Sequence, residues 1–336
     1  MTTLWDTTGT AVVKALAVER RQAGSVSSGL ALTLVVVVDE QRVTEAEAAA
    51  TRAAAQHPCR LLVVVRRRPD APEPRLDAEV LIGGRLGPGE AVVMRMYGRL
   101  ALHADSVVLP LLAPDAPVVT WWYGEPPVRI AHDPLGVFAD RRVTDTSLAA
   151  DPRQALRHRS DDYAPGDTDL AWTRTTLWRA LCASAFDSVV GPPRSAEVSG
   201  ESSDPSLTLL AGWLTSRLGI DVPVVDTAGP GITGVTITLD DTTVRLTRGD
   251  GQTAVLQHTG QPDRTLPLPR RGLGDLLAEE LQRLDDDETY GEALAAVTGA
   301  TGLADRPEQR THVWLDPMDS SGPESALVEG RPGSPG

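Results

Sequence analysis

Leu30–Val38 (LALTLVVVV) and Arg60–Val65 (RLLVVV) are apolar runs with almost no polar interruption. A strand with one wet face alternates polar and apolar residues, whereas an unbroken run fits a strand covered on both faces. Between them, Thr44–His57 is alanine-rich with acidic residues early, a strong helix former. Strand, helix and strand in that order make a βαβ unit with parallel strands and a right-handed crossover. The first half of the chain is therefore expected to be α/β, with a mixed, largely parallel sheet covered by helices.

The flanking segments extend this pattern. Asp6-Thr-Thr-Gly9 offers a cap to a helix over Thr10–Ala23, with Val12 and Leu16 on successive turns. Ala78–Ile82 and Ala91–Tyr97, joined by the turn-rich Gly83–Glu90, read as an antiparallel pair. Leu100–Leu112 reads as a helix broken near Pro110, Pro117–Tyr123 as a strand, Pro134–Phe138 as a short helix, Arg141–Thr146 as a short strand and Ser147–Arg159 as a helix. After Phe186 the texture changes. A strand at Ala196–Ser199 and a helix at Ser206–Leu218 precede short alternating strands at Val222–Val225, Val235–Leu239, Thr243–Thr247, Ala254–Gln257 and Thr265–Leu268. Asp240-Asp241 and Gly249-Asp250-Gly251 are hairpin-turn chemistry. Helices at Gly274–Leu284 and Glu288–Val297 follow. The predicted organisation is an α/β domain over 1–160, a tryptophan-bearing connecting helix over 161–190 and an α+β domain with an antiparallel sheet over 191–304. A Pro-, Gly- and Ser-rich tail over 305–336 is expected to be mostly disordered, above all from Ser320.

Charge and motifs narrow the function. The formal net charge is -14 and Lys14 is the only lysine, so the basic stripe that nucleic acid needs is not expected. Arg66-Arg67-Arg68 reads as a solvated strand end. No apolar stretch approaches the roughly 18 residues of a membrane span. The start lacks a basic segment before an apolar one, so a cytoplasmic chain with reduced thiols is expected. Gly229-Pro-Gly-Ile-Thr-Gly234 spells G-x-G-x-x-G, but a strand rather than a helix follows, and Pro230 has no N–H for a phosphate. Gly83–Gly89 fails for the same reason. No glycine loop carries a lysine, and neither G-x-S-x-G nor H-E-x-x-H occurs. The six histidines lack ligand spacing, the two cysteines do not suggest zinc, and Asp285–Glu288 reads as a cap between helices. His158 with Asp161 and Asp162 has no nucleophile beside it. No catalytic, cofactor-binding or metal-binding residue is assigned.

Asp161–Asp187 concentrates the remaining signal. Tyr163-Ala-Pro-Gly166 reads as a turn, Asp167 or Thr168 as a cap, and the residues to Phe186 as one helix. One stripe holds Leu170, Arg174, Leu177, Trp178 and Leu181; a second holds Trp172, Thr176, Arg179, Ala183 and Phe186. One layer cannot hide both, so the second stripe meets either the chain's other domain or a partner, for which tryptophan and arginine are suited. Trp172, Arg179 and Phe186 are thus candidate partner contacts. Trp121 and Trp122 join them: adjacent in a strand, they point to opposite faces and are otherwise plain core. Cys59 opens a buried strand and Cys182 lies mid-helix, each a buried structural cysteine or, alternatively, a redox thiol.

HPCRLLVVV (57–65), EPRLDAEV (73–80), VVLPLLAPDAPVVTWWYGEPP (107–127), YAPGDTDLAWTRTTLWRALCASAFD (163–187) and LAEELQRLDDDETYGEAL (277–294) together resemble the glucose-6-phosphate dehydrogenase assembly protein (OpcA) family in its actinobacterial form. The resemblance runs from about residue 4 to about residue 300. It implies a non-catalytic cytoplasmic protein without cofactor that binds oligomeric glucose-6-phosphate dehydrogenase, supports its assembly and activates it allosterically, serving the oxidative pentose phosphate pathway and NADPH supply. In cyanobacterial members cysteines connect the protein to thioredoxin, a trait that is not carried residue by residue onto Cys59 and Cys182. The competing expectation is an enzyme or sensor that binds a small phosphorylated metabolite in the α/β domain through Arg60, Arg141 and Arg142.

Overall fold

The computed structural model describes residues 1–23, 30–83, 89–186, 191–249 and 251–314. Most of the Gly83–Glu90 turn, Asp250 and the tail from Ser320 lie outside the described residues.

Eight strands form the first sheet: β1 (Thr2–Leu4), β2 (Leu32–Asp39), β3 (Cys59–Arg67), β4 (Arg75–Ile82), β5 (Glu90–Tyr97), β6 (Val118–Tyr123), β7 (Arg141–Thr144) and β8 (Asp167–Asp169). Their order is β1-β4-β5-β3-β2-β6-β7-β8. Strands β5, β3, β2, β6, β7 and β8 are parallel, and only β4 runs against them. Taken in chain order, the parallel strands follow the doubly wound 3-2-1-4-5-6 arrangement, with its reversal point between β2 and β6. One face packs under α2 (Val43–Gln56) through alternate residues Leu34, Val36, Leu61 and Val63. The other takes α1 (Gly9–Gln22), capped by the Thr8 hydroxyl, and short turns around residues 98–112 and 130–138.

The long helix expected at Leu100–Leu112 is instead a series of short pieces: 3₁₀ turns at Gly98–Ala101 and Leu109–Leu111 flank α3 (Asp105–Val108). Pro110 sits inside the second turn and supplies no N–H for a continuing helix. A short α4 (Pro134–Val137) precedes β7, and α5 (Pro152–Asp161) starts later than the sequence suggested because Asp151 caps it with Pro152 at its first position.

The second sheet has six strands, β10-β9-β11-β12-β13-β14, from β9 (Ser195–Gly200), β10 (Val224–Asp226), β11 (Ile232–Thr238), β12 (Thr243–Arg248), β13 (Thr253–His258) and β14 (Arg264–Pro267). All neighbours are antiparallel except β10 and β9. Alternate residues Ala196, Val198, Val235, Ile237 and Leu246 face α8 (Pro205–Leu218) and the preceding tryptophan-bearing helix.

The two units share structure. Helix α9 (Leu273–Gln282) leaves the second sheet and lays Leu276, Leu277, Ala278 and Leu281 onto α2 and the first sheet. Helix α10 (Glu288–Thr298) packs on α8 so closely that a Cβ at Gly212 would lie 2.4 Å from Val297 and 2.6 Å from the Ala293 carbonyl. The start of the expected tail is also tied down. Arg306 donates to the carbonyls of Ser160, Asp161 and Tyr163, and Arg310 to the Asp167 carboxylate at 2.9 and 2.5 Å.

Candidate functional site

In a doubly wound sheet ligands collect beyond the carboxyl ends of the strands at the reversal point, where loop N–H groups hold phosphate. Here the β2–α2 loop, Asp39-Glu-Gln-Arg42, has no glycine. The Asp39 carboxylate accepts the N–H groups of Gln41 and Arg42 at 2.9 and 3.0 Å. Across the crevice Gly124 adopts φ 139°, and a Cβ there would lie 2.9 Å from the Arg42 guanidinium. Burial, then Glu45, holds the Tyr123 hydroxyl protonated. The Asp39 carboxylate thus takes up the loop N–H groups, and it also pairs with the Arg42 guanidinium at 3.8 Å.

The densest polar arrangement lies at the seam between the two units. The single helix expected over Asp167–Phe186 is interrupted: β8 is followed by α6 (Leu170–Thr173) and then α7 (Thr176–Phe186). The Thr175 hydroxyl donates back to the Trp172 carbonyl at 2.7 Å and ends the first piece. Asp169 caps α6 through Ala171 N–H at 2.9 Å and accepts from the hydroxyls of Thr144 and Thr146 at 2.6 and 3.0 Å. Burial, then the neighbouring Asp145 carboxylate, pushes the Asp169 carboxyl above its usual range. Asp145 is itself clamped by Arg174 through two bonds of 2.8 and 2.7 Å. Across the seam, Glu280 accepts from Arg141 at 2.5 Å and from the Thr173 hydroxyl at 2.6 Å, while Arg141 also donates to the Asp285 carbonyl at 2.8 Å.

The structure redistributes the residues singled out from sequence. Trp172 is 0 % exposed and donates its indole N–H to Asp287 at 2.7 Å, among Leu156, Tyr163, Leu209 and Tyr290. Of the two covers expected for this ring, the chain's own second half is the one found: α10 lies over it. Asp287, which also caps α10, is therefore more than a solvated end. Arg179 stacks its guanidinium 3.6 Å over the Trp172 ring, and burial brings its pKa down to about 10. Phe186 is half-buried against the second core. Trp121 and Trp122 lie in opposite cores, both buried, with Trp122 donating to Asp133 at 3.0 Å. As outer contacts these two and Trp172 are corrected, because the chain itself encloses them.

Cys59 and Cys182 are free and sit in different cores, and burial pushes each thiol up to about 12. Arg60, Arg141 and Arg142 do not converge. Arg60 pairs with Glu90 at 2.8 Å, Arg141 with Glu280 and Arg142 with Asp167 at 2.5 Å. Nor is the Arg66–Arg68 run merely solvated: Arg66 binds Asp133 at 2.9 Å and Arg67 the Tyr97 hydroxyl at 2.8 Å. What the sequence did not reveal is a cleft between the units, reached from three segments by Arg174, Arg248 and the adjacent Arg270 and Arg271. A linear hint is the glycine turn at Gly229–Gly231, whose Pro230 and Gly231 line the cleft. Among the described residues no group of His, Cys, Asp and Glu could hold a metal ion, and no helix is long and apolar enough to cross a membrane.

Comparison with known proteins adds the family. Residues 50–161 match the N-terminal domain of the glucose-6-phosphate dehydrogenase subunit (OpcA) family, and residues 165–294 match its C-terminal domain. A Synechocystis sp. protein bearing the name OxPP cycle protein OpcA is 27% identical over 138 residues. That match covers 38% of this chain and 29% of the relative, so the chain spans less than a third of the relative's length. Solved structures match as well, two of them as follows. An oxidoreductase from Sinorhizobium meliloti has 11% identity and a TM-score of 0.39, covering 79% of this chain and 86% of its own. An inositol dehydrogenase homolog from Azotobacter vinelandii, complexed with NADH and myo-inositol, has the same identity and coverages and a TM-score of 0.38. Likeness at that level carries no functional argument. The two domain matches follow each other in order and together take up more than two thirds of the sequence, so the chain belongs to the OpcA family of glucose-6-phosphate dehydrogenase subunits.

Proposed function

We propose that this protein is a non-catalytic assembly factor and allosteric activator of glucose-6-phosphate dehydrogenase, acting in the cytoplasm and so supporting NADPH supply. The observation that carries this reading is the family match over both domains. The site geometry is in keeping with it: the Asp39 carboxylate takes the N–H groups of the β2–α2 loop, and Arg141 and Arg174 are paired with Glu280 and Asp145. A protein of this kind acts through its surface. On α7, Arg179 and Phe186 keep partial exposure and are contact candidates. Trp5, 70% exposed, and Trp314, 43% exposed and stacked on His103 at 4.4 Å, join them, since exposed tryptophans favour interface hot spots.

The test is a titration of this protein into the glucose-6-phosphate dehydrogenase of the same organism, with rate and oligomer size followed together. A saturable rise in rate, with none from this protein alone, is expected. No change in rate, substrate affinity or oligomer size would refute the proposal.

A further inference from the structure

The cleft between the two units has a volume of about 430 Å³, within the roughly 300–1,000 Å³ of small-molecule sites. Of the four arginines that line it, two are neutralised. Arg174 is clamped to Asp145, and Arg271 pairs with Glu279 and donates to the Thr173 carbonyl. The other two have no carboxylate in ion-pair reach among the described residues. Arg248, at the end of β12, lies over the Trp178 ring at 4.9 Å, and its buried Nε has no acceptor. Burial, then the like charge of Arg270, pushes its pKa down to about 10.

Arg270 stands at the cleft mouth and is held in place. Its guanidinium donates to the Pro230 carbonyl at 2.6 Å and its backbone N–H to the Gly251 carbonyl at 3.2 Å. Gly231, at φ 64°, lies beside it: a Cβ there would stand 3.4 Å from the Arg270 guanidinium and 2.9 Å from the Asp204 carboxylate. The carboxylates on the wall are turned to local tasks: Asp204 caps α8 through Ser206 N–H at 2.8 Å, and Glu201 accepts from the Ser203 hydroxyl at 3.1 Å. Ser206 is only 1% exposed, lines the cleft and has an unpartnered hydroxyl.

Two arginines without a carboxylate partner on one cleft, one of them with a dry unpaired Nε, are unfavourable unless an anion offsets them. Arginine forks match the oxygens of a phosphate, and a buried serine hydroxyl adds a donor. We propose that this cleft binds a phosphomonoester, its phosphate held by Arg248, Arg270 and the Ser206 hydroxyl, and its organic part seated against Trp178. The cations expected from sequence to hold such a ligand lie elsewhere and are paired. This inference concerns the chain alone and does not depend on the dehydrogenase reading.

The experiment is isothermal titration calorimetry of the full chain at constant ionic strength in chloride. The probes are inorganic phosphate, glycerol 3-phosphate and a hexose 6-phosphate, each ester set against its unphosphorylated parent. Saturable binding at one site is expected for phosphate, tighter binding for an ester, and none for the parents. Arg248→Gln and Arg270→Gln should each weaken binding at least tenfold, and Ser206→Ala severalfold. The ligand-free Arg248→Gln protein should melt no lower than wild type, because a partly buried, unpaired charge is removed; Arg270→Gln, at the exposed mouth, serves if it does melt lower. No saturable binding, binding of inorganic phosphate without that of any ester, or affinities unchanged in both arginine variants would overturn the proposal.

Discussion

Replacing Trp172 with alanine tests whether the seam is a core shared by both units. The ring is completely enclosed among Leu156, Tyr163, Leu209, Tyr290 and Leu294, so its removal leaves a cavity bounded by helices from both halves. Truncation of a buried tryptophan costs about 3–5 kcal/mol. Here the Asp287 carboxylate also loses its indole donor at 2.7 Å, a bond to a charged group worth about 1.5–3 kcal/mol. Arg179 loses the ring it covers, worth about 0.5–2 kcal/mol. These contributions overlap, so the expected loss lies at the upper end of the truncation range, about 5 kcal/mol. Trp172→Phe keeps most of the volume and drops the N–H, so it should cost about 2–3 kcal/mol, mostly the Asp287 bond. Guanidinium denaturation followed by far-ultraviolet circular dichroism reads both without relying on tryptophan emission. A loss below about 1 kcal/mol for Trp172→Ala, or equal losses for the two variants, would refute the reasoning.

Glu280→Ala strands the buried Arg141 guanidinium and should destabilise by about 3–5 kcal/mol, whereas a paired Arg141→Leu, Glu280→Leu variant should recover most of that in the same melts. Burial pushes the Asp167 carboxyl up, but Arg142 and Arg310 outweigh it and hold it below the usual carboxylate range. Its contribution is therefore complete above the unfolded pKa of about 3.9 and is lost as pH falls through the lower folded value. Arg310→Ala should flatten that acid limb of the stability–pH curve, as thermal melts between pH 2 and 6 would reveal. Cys59 and Cys182, as buried neutral thiols, should resist iodoacetamide in the native protein and react only on denaturation, read by intact mass.

The parallel sheet was legible because burial on both faces leaves a one-dimensional trace: Leu34–Val38 and Leu61–Val65 need no partner to be recognised. The cap at Thr8 was legible for the same local reason, whereas the cap expected at Asp167 or Thr168 falls on Asp169, because residues 167–169 pair as a strand. The break at Thr175 was not, because a threonine hydroxyl turning back on the Trp172 carbonyl leaves helical periodicity intact. The fate of Trp172 was hidden because periodicity names a face and not its cover, which here is α10, whose capping Asp287 is 115 residues away. The α9 helix was legible but not its neighbour: its apolar stripe fits either sheet, and only the fold shows it on α2. The cleft arginines were hidden because two loops and a strand end, well separated in the chain, gather them: Arg174, Arg248 and the adjacent Arg270 and Arg271.

The return of α9 to the first sheet bears on how the protein is made. Strand β7 is complete at residue 144, but the helix that finishes covering its sheet begins only at residue 273. At roughly 5–20 residues per second the ribosome needs on the order of ten seconds to bridge that gap. Throughout it, the ground between α2 and β7, where Leu276, Leu277 and Leu281 will settle, stays open to water. The nascent chain is then a natural client for a holding chaperone. A fragment ending after the N-terminal family match would keep that uncovered patch permanently.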